Sequence, residues 1–406
     1  MRLNVLVVDR SPPVSDSQGN ELIARCVFPL LRVDHHLTLV APVVADQESA
    51  ARAAIDGLFD RVHLVPRARR LPSLGGWLEA TLGRRGLRIR GRIDTAAAAR
   101  LGTEIRRVLA TEAIDVVHVR QLPMAAYATD LGATPRLLEL IDAETLATSR
   151  DTAGTPRAAI RGPVARAIER RAVRPFPVVT VVADADAAAL RRLVPGIRVE
   201  VVPNGVDATR FQPRLDEPVT PHSIAFVGAM SFGPNVAAAR WFVGDVLPRL
   251  RSLRPDVTVT IVGRDPVASV LALADDPAVT VTGGVDDVRP FLARAAVVVA
   301  PMVSGSGIKN KILEAMAMQR PVVATGLAAD GLAAQPGRDL LVADGADAFA
   351  AAVESLLADP RRAAAVAAAG RALVEARYTW EACAAGYAAL YAELAAIRSA
   401  DRMTAG

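Results

Sequence analysis

Lysine is almost missing from this sequence. Of 48 basic side chains in 406 residues only Lys309 and Lys311 are lysines, and all the others are arginine. A position that keeps a compact ammonium where arginine would offer a planar fork stands out against that background. Aromatic residues are scarce at 4%, so the cores must be built from Ala, Val and Leu. The two cysteines, Cys26 and Cys383, are far apart in the chain and argue against a disulfide framework or a zinc site. Long apolar runs are missing too. Stretches such as Ala295–Val303 fall short of the roughly 18 residues a membrane span requires. Asp9 and Arg10 break the N-terminal apolar run at once, so it reads as a strand and not as a signal peptide. The expectation is a soluble, cytoplasmic chain.

What is present is a rhythm. Half of the chain is hydrophobic, and its length suits two domains of about 200 residues each. Leu3–Val8, Leu37–Val40, Val116–Val119, Leu137–Leu140 and Val178–Val182 are short, branched and continuous, as buried strands are. Between them Asn20–Leu31, Ala45–Leu58, Thr95–Thr111 and Ala158–Val173 read as helices. The alternation predicts a parallel sheet covered on both faces. Val201–Asp207 and the Pro-rich stretch to Pro221 then interrupt it, as a linker would.

The pattern restarts with strands at Ser223–Val227, Val257–Val262, Val279–Thr282, Ala296–Ala300, Pro321–Thr325 and Leu340–Val342. Helices at Asn235–Leu253, Val267–Ala274, Val288–Ala293, Ile308–Met318 and Ala346–Leu357 separate them. Two Ala-rich helices, at about 361–376 and 380–398, close the chain. The fold class is therefore α/β with two doubly wound domains, 1–203 and 204–378, and a closing helix in 379–406 that packs back towards the first. Ligands of such sheets bind beyond the carboxyl ends of the strands. Two sheets facing each other would share one cleft.

The densest motif is Ala300-Pro-Met-Val-Ser-Gly305-Ser306-Gly307-Ile308-Lys309-Asn310-Lys311-Ile-Leu-Glu314-Ala-Met-Ala-Met318. A strand runs into a glycine-bearing loop, and a helix follows. Glycines admit a ligand to the backbone, and the free N–H groups of the helix's first turn make a seat for a pyrophosphate. Gly307, Asn310, Lys311 and Glu314 fall on one helix face, while Ile312, Leu313 and Met316 fall on another. Lys311 suits phosphate charge, and the carboxylate of Glu314 suits a pair of ribose hydroxyls. The plainer alternative is an amphipathic helix whose Lys and Glu are only solvated.

This segment resembles the donor-binding signature of family-four retaining glycosyltransferases of the GT-B fold. Arg320–Thr325 continues the match. Val202-Pro-Asn-Gly-Val-Asp207, Ala225-Phe-Val-Gly228-Ala-Met230, Val262-Gly-Arg-Asp-Pro266, Thr282-Gly-Gly-Val-Asp-Asp287 and Tyr378-Thr-Trp380 follow the family in order and spacing. The resemblance covers nearly all of the second half and only loosely the first. It implies a fold of two Rossmann-like domains, a nucleoside-diphosphate sugar as donor, retention at the anomeric carbon, no cofactor and no obligatory metal. It further implies that Glu314 bonds the donor ribose and that Gly305, Ser306, Gly307 and Ile308, with Lys309, Asn310 and Lys311, line the diphosphate. The backbone of Gly284 and Val285 would meet the base, and Gly228 and Met230 would border the sugar or phosphate. Two departures stand out. Ser306 occupies the place of the family's first acidic residue, and Met230 lies where a basic phosphate ligand is common. Gly307–Glu314 together with Phe232-Gly-Pro-Asn235 is similar to a subgroup linked to exopolysaccharide assembly.

In the first half, Gly19 and Asn20 open a helix where acceptor hydroxyls or a phosphate would meet backbone donors. Asp115–Arg120 is a strand with polar groups near its carboxyl end. There His118 is either a group that polarises the reacting centre or a satisfied core histidine, and Arg120 is a candidate phosphate contact. Asp142 and Glu144, after the next strand, are candidate ligands for acceptor hydroxyls. Residues 67–92 hold eight arginines against Glu79, an excess larger than the chain's whole net charge of +5. Their apolar neighbours suggest peripheral contact with an anionic membrane, where a lipid-linked acceptor would sit; the alternative is a solvated excursion. No aromatic-studded basic sheet accompanies the charge, so nucleic acid is not expected. The function expected is glycosyl transfer to a glycan, lipid-linked or small-molecule acceptor. The rivals are a nucleotide-sugar epimerase of the same architecture and a catalytically degenerate partner protein.

Overall fold

The structure is a computed structural model that describes every residue except 1, 16–18, 68–94, 128–130, 142, 144–157, 215, 306–309 and 405–406. The chain divides into two compact units. Unit 1 comprises Met1–Pro203 and Cys383–Gly406, and unit 2 comprises Asn204–Ala382.

Unit 1 alternates β1 (Asn4–Val8), α1 (Gly19–Asp34), β2 (His36–Val44), α2 (Glu48–Ala54), β3 (Arg61–Arg67), α3 (Thr95–Thr111), β4 (Val116–Arg120), β5 (Arg136–Glu139), α4 (Ala158–Val173), β6 (Val178–Val181), α5 (Asp184–Leu193) and β7 (Val199–Val201). Its seven strands are parallel in the order β3-β2-β1-β4-β5-β6-β7. Valine and leucine dominate them because both faces are covered, and β1 and β4 are buried almost throughout. Side chains alternate between the two faces. Val117, Val119, Leu138 and Leu140 join one apolar cluster with Leu101, Ile105 and Val108 of α3. His118 and Arg120 therefore share the other face, and Arg120 stands in register with Glu139 of β5.

Unit 2 runs β8 (Ser223–Val227), α6 (Gly233–Trp241), α7 (Leu247–Leu253), β9 (Thr258–Val262), α8 (Ala268–Leu271), β10 (Val279–Val281), α9 (Arg289–Arg294), β11 (Val297–Ala300), α10 (Asn310–Ala317), β12 (Val322–Ala324), α11 (Gly326–Ala329), β13 (Leu341–Val342), α12 (Ala346–Ala358) and α13 (Pro360–Arg377). The six parallel strands order as β10-β9-β8-β11-β12-β13. In both units the strand order reverses beside the first strand, between β1 and β4 and between β8 and β11. That reversal opens the crevice in which such sheets bind ligands. The last helix, α14 (Trp380–Thr404), belongs to unit 1 from Cys383 onward, where Tyr387, Tyr391 and Leu394 are buried. No helix of the described residues is long and apolar enough to cross a membrane.

The structure adds two strands to those read from sequence, β3 and β7, and it lengthens β2. β3 carries Arg61, His63 and Pro66, which mask its strand character. It lies at the sheet edge, where Pro66, paired with Val43, needs no ladder N–H on its outer side. The helix expected over Asn235–Leu253 is split, because a π-helical turn at Phe242–Val246 separates α6 from α7 and its Pro248. The basic stretch 67–92 lies outside the described residues apart from Arg67, which ends β3.

Candidate functional site

At the reversal point of unit 2, β8 ends at Val227 and passes into Gly228, while β11 ends at Ala300 and passes into the glycine-bearing loop. That loop is pinned from below. The Thr325 hydroxyl donates to the Met302 carbonyl at 2.7 Å, and Gly305 adopts φ +102°, a left-handed conformation that favours glycine. Ser306, Gly307, Ile308 and Lys309 lie outside the described residues. α10 begins at Asn310, whose side-chain oxygen is buried without a hydrogen-bond partner among the described residues. Ile312, Leu313, Ala315 and Met316 are buried and fasten the helix to its sheet, which leaves Lys311 and Glu314 on the half-buried side.

Lys311 is held by groups from three elements. Its ammonium donates to Asn235 Oδ1 at 2.6 Å, touches Met302 Sδ at 3.8 Å and lies over the Phe226 ring, 4.5 Å from its centre. Gly228 completes the cluster by having no side chain. A Cβ there would come within 2.7 Å of Asn235 Nδ2 and 3.0 Å of Lys311 Nζ. One turn further along α10, Glu314 is driven to a raised pKa by burial, against the opposing charges of Lys311 and Arg210. Among the described residues its carboxylate accepts no hydrogen bond. A half-buried carboxylate in that condition is a group prepared for hydroxyl donors.

The other positions expected in this region separate into two kinds. Gly284 is exposed and Val285 half-buried, in the loop beyond β10, and the Gly283 carbonyl there accepts from Gly263 N at 3.2 Å. Met230 is different and corrects the expectation that it borders the donor. Its side chain is 0% exposed, its N–H donates to the Arg264 carbonyl, and its own carbonyl accepts from Val267. It is a core residue that ties the loop after β8 to the loop after β9. Asn235, which in the sequence marks a helix start and ends a subgroup motif, is the side chain that meets Lys311.

Unit 1 requires a second correction. His118 and Arg120 are 0% and 1% exposed and are consumed by other protein groups. Arg120 gives Nε and Nη2 to Glu139 (2.8 and 3.0 Å), Nη1 to Asp9, and Nη2 also to the Asn20 carbonyl at 2.9 Å. Four of its five N–H groups are taken by protein acceptors and the side chain is 1% exposed, so it is not presented to a phosphate. His118 shares a hydrogen bond of 2.6 Å with the Tyr391 hydroxyl through Nδ1. Its Nε2 lies 2.8 Å from Glu139 Oε2, off the line of a hydrogen bond. Phe28, Tyr387 and Tyr391 surround the ring. His118 is thus a core histidine, hydrogen-bonded through Nδ1 and set against Glu139 through Nε2.

Burial pushes Glu139 up, but the Arg120 charge and the His118 contact override it and hold its carboxyl down at about 2. For Asp9 burial prevails over Arg120, and Glu139 adds to the rise. The two carboxylates compete for one guanidinium, and Glu139, gripped twice, wins. Gly19 and Asn20 begin α1, as expected, and the Asn20 carbonyl is tied to Arg120. Asp142 and Glu144 lie outside the described residues. Asp9, Glu139, Tyr387 and Tyr391 were not read as partners of this network, because they come from three separate elements, the end of β1, β5 and α14.

Known proteins carry the same sequence and fold features. Residues 30–210 match the profile described as "Glycosyltransferase Family 4", and residues 221–359 match "Glycosyl transferases group 1". The chain is 32% identical over 249 residues to a GDP-mannose-dependent alpha-(1-6)-phosphatidylinositol monomannoside mannosyltransferase of Mycobacterium tuberculosis. That match covers 55% of this chain and 63% of the relative. The protein of the same name from Mycolicibacterium smegmatis is 32% identical over 235 residues, 52% of this chain and 60% of its own. The match thus spans less than two thirds of the length of these curated relatives. Among solved structures, sucrose-phosphate synthase from Thermosynechococcus elongatus superposes with a TM-score of 0.74 at 18% identity, covering 98% of this chain and 100% of that one. Anabaena HepE in complex with UDP superposes with a TM-score of 0.70 at 14% identity, covering 96% and 100%. These likenesses are of fold.

Proposed function

Since the chain belongs to glycosyltransferase family 4, we propose that it transfers a sugar from a nucleoside-diphosphate donor held by unit 2 to an acceptor held by unit 1. The observation that carries this reading is the close approach of Gly228 and Lys311 at the strand-order reversal between β8 and β11, with Glu314 within reach of the Lys311 charge one turn along α10. The ammonium and the amino end of α10 would stabilise a bound diphosphate, and the carboxylate one turn along, which accepts no hydrogen bond among the described residues, would take two ribose hydroxyls. The loop at Gly284 and Val285 would border the base.

In the reaction the bond from the anomeric carbon to the diphosphate oxygen breaks, and the diphosphate leaves with the electron pair. An acceptor hydroxyl oxygen takes the sugar and passes its proton to an oxygen of the departing diphosphate. Positive charge fixed beside the leaving diphosphate before the bond breaks stabilises the transition state more than the ground state. Family resemblance implies that the configuration at the anomeric carbon is retained. The mycobacterial relatives make GDP-mannose the first donor to try and a lipid-linked glycan the first acceptor. The basic stretch 67–92 accords with an acceptor on an anionic membrane surface.

Calorimetric titration with UDP, GDP and ADP and their sugars tests the donor half of this reading. One of these nucleotides should bind, and Glu314→Ala should weaken it by roughly tenfold or more, as loss of hydrogen bonds to a charged group does. Absence of binding by all three, or binding indifferent to Glu314→Ala, would sink the proposal.

A further inference from the structure

We propose that Asn235 is a positioning residue that aims the Lys311 ammonium at the donor's diphosphate. The inference rests on the reading of unit 2 as the donor site and goes beyond it. It names the residue that decides where the site's cation stands.

The segment from Gly228 to Pro234 contains no basic residue, and its Met230 is in the core. Lys311 brings positive charge to this segment from α10, across the reversal point, on a long and flexible stem. A lysine ammonium is a point charge with three rotatable donors, and left to itself it samples many positions. Asn235 restricts it. The residue is 7% exposed, near the start of α6, and its amide is fixed at both ends. Nδ2 donates to the Ala229 carbonyl at 2.9 Å, and Oδ1 accepts from Lys311 at 2.6 Å. The amide can face only one way, since a carbonyl cannot donate and an ammonium cannot accept. Asn235 thereby couples the loop after β8 to α10, and its orientation sets the place of the charge.

The choice of amide also matters. Asn235 Oδ1, Met302 Sδ and the Phe226 ring seat the ammonium without a formal charge of their own. A carboxylate at position 235 would hold it as firmly and cancel its field at the same time. Asparagine holds the cation and adds no opposing charge of its own. Ligands with a diphosphate should therefore sense this residue, and ligands lacking one should not.

The full-length protein is titrated with whichever of UDP, GDP and ADP it binds, and with the matching nucleoside in competition. Asn235→Asp is expected to weaken the diphosphate about tenfold or more and to leave the nucleoside unchanged, with Asn235→Leu showing a smaller selective loss. Lys311→Met should give the same selective loss. Combined with Asn235→Leu it should add little further, because the two residues act through one ammonium. Equal losses for diphosphate and nucleoside, no loss at all, or additive effects in the double variant would overturn the inference. Thermal melts of each variant separate misfolding from lost charge, and Asn235→Leu, of similar shape, carries the test if Asn235→Asp fails to fold. Glu314→Ala serves as the control. It should weaken nucleoside and diphosphate alike, and if it weakens neither, the donor-site reading itself fails, whatever Asn235 does.

Discussion

Arg120 and Glu139 face each other at the carboxyl ends of neighbouring strands and form a two-pronged ion pair, Nε to Oε2 at 2.8 Å and Nη2 to Oε1 at 3.0 Å. Parallel register places them opposite one another, and the pleat turns both away from the apolar cluster of α3. Asp9, one residue beyond β1, closes on the same guanidinium, so three strands are joined by one cation. The pair sits where a ligand contact would be expected, and it has a structural duty there.

Removing the cation should therefore be costly. Arg120→Met leaves two carboxylates in the core without their counter-ion, a loss of about 3–5 kcal/mol in systems of this kind. Adding Glu139→Gln removes one stranded charge and should recover part of it. Denaturant unfolding of the wild type, Arg120→Met and the double variant measures both steps. A single variant as stable as wild type would show that the network carries no weight.

The same network predicts an acid limb with a definite sign. Glu139 drops from the ordinary 4.5 to about 2 on folding. Its contribution is thus fully present above pH 4.5 and is lost as pH falls towards 2. Asp9 works the other way. Its pKa is raised above 3.8, so its penalty is present at high pH and is relieved as pH falls through the raised value. Glu139 is faced by Arg120 and His118 from β4, by Asp9 from the end of β1, and by Tyr387 and Tyr391 from α14. Stability measured from pH 5 down to pH 2 should fall more steeply in wild type than in Glu139→Gln, which lacks the titrating carboxyl. Parallel curves for the two proteins would refute the assignment.

Much of this architecture can be read from residues alone, because parallel strands buried on both faces must be continuously apolar. Val5–Val8 and Val297–Ala300 announce themselves that way. β3 does not, since an edge strand is free to carry Arg61, His63 and Pro66. In the site, Lys311 and Glu314 were legible because helical spacing is local and lysine is rare in this chain. Asn235 was not, because 76 residues separate it from Lys311 and only the sheet topology brings them together. His118 and Arg120 misled for a related reason. Polar residues at a strand's carboxyl end look the same in a sequence whether they point to a ligand or to Glu139, Asp9 and Tyr391. Local spacing marks a candidate, and only the partner decides between the two.

The last prediction concerns a residue without a side chain. Gly263, just after β9, packs so closely on the end of β8 that a Cβ would stand 1.6 Å from the Gly228 carbonyl oxygen and 3.4 Å from Met230 Cγ. No rotamer relieves a clash with backbone. Gly263→Ala must push Gly228 away, and Gly228 is where Asn235 and Lys311 converge. Overpacking of this kind costs about 1–3 kcal/mol or more, and here the displaced segment belongs to the proposed donor site. Gly263→Ala is expected to lower the unfolding midpoint and, in the fraction that remains folded, to weaken nucleoside-diphosphate binding. Gly233→Ala supplies the comparison, because its Cβ, at the start of α6, would meet nothing within 4 Å. If Gly263→Ala binds nucleotide as Gly233→Ala does, the carbonyl of Gly228 has room to move and the close approach of β8 and β9 does not shape the site.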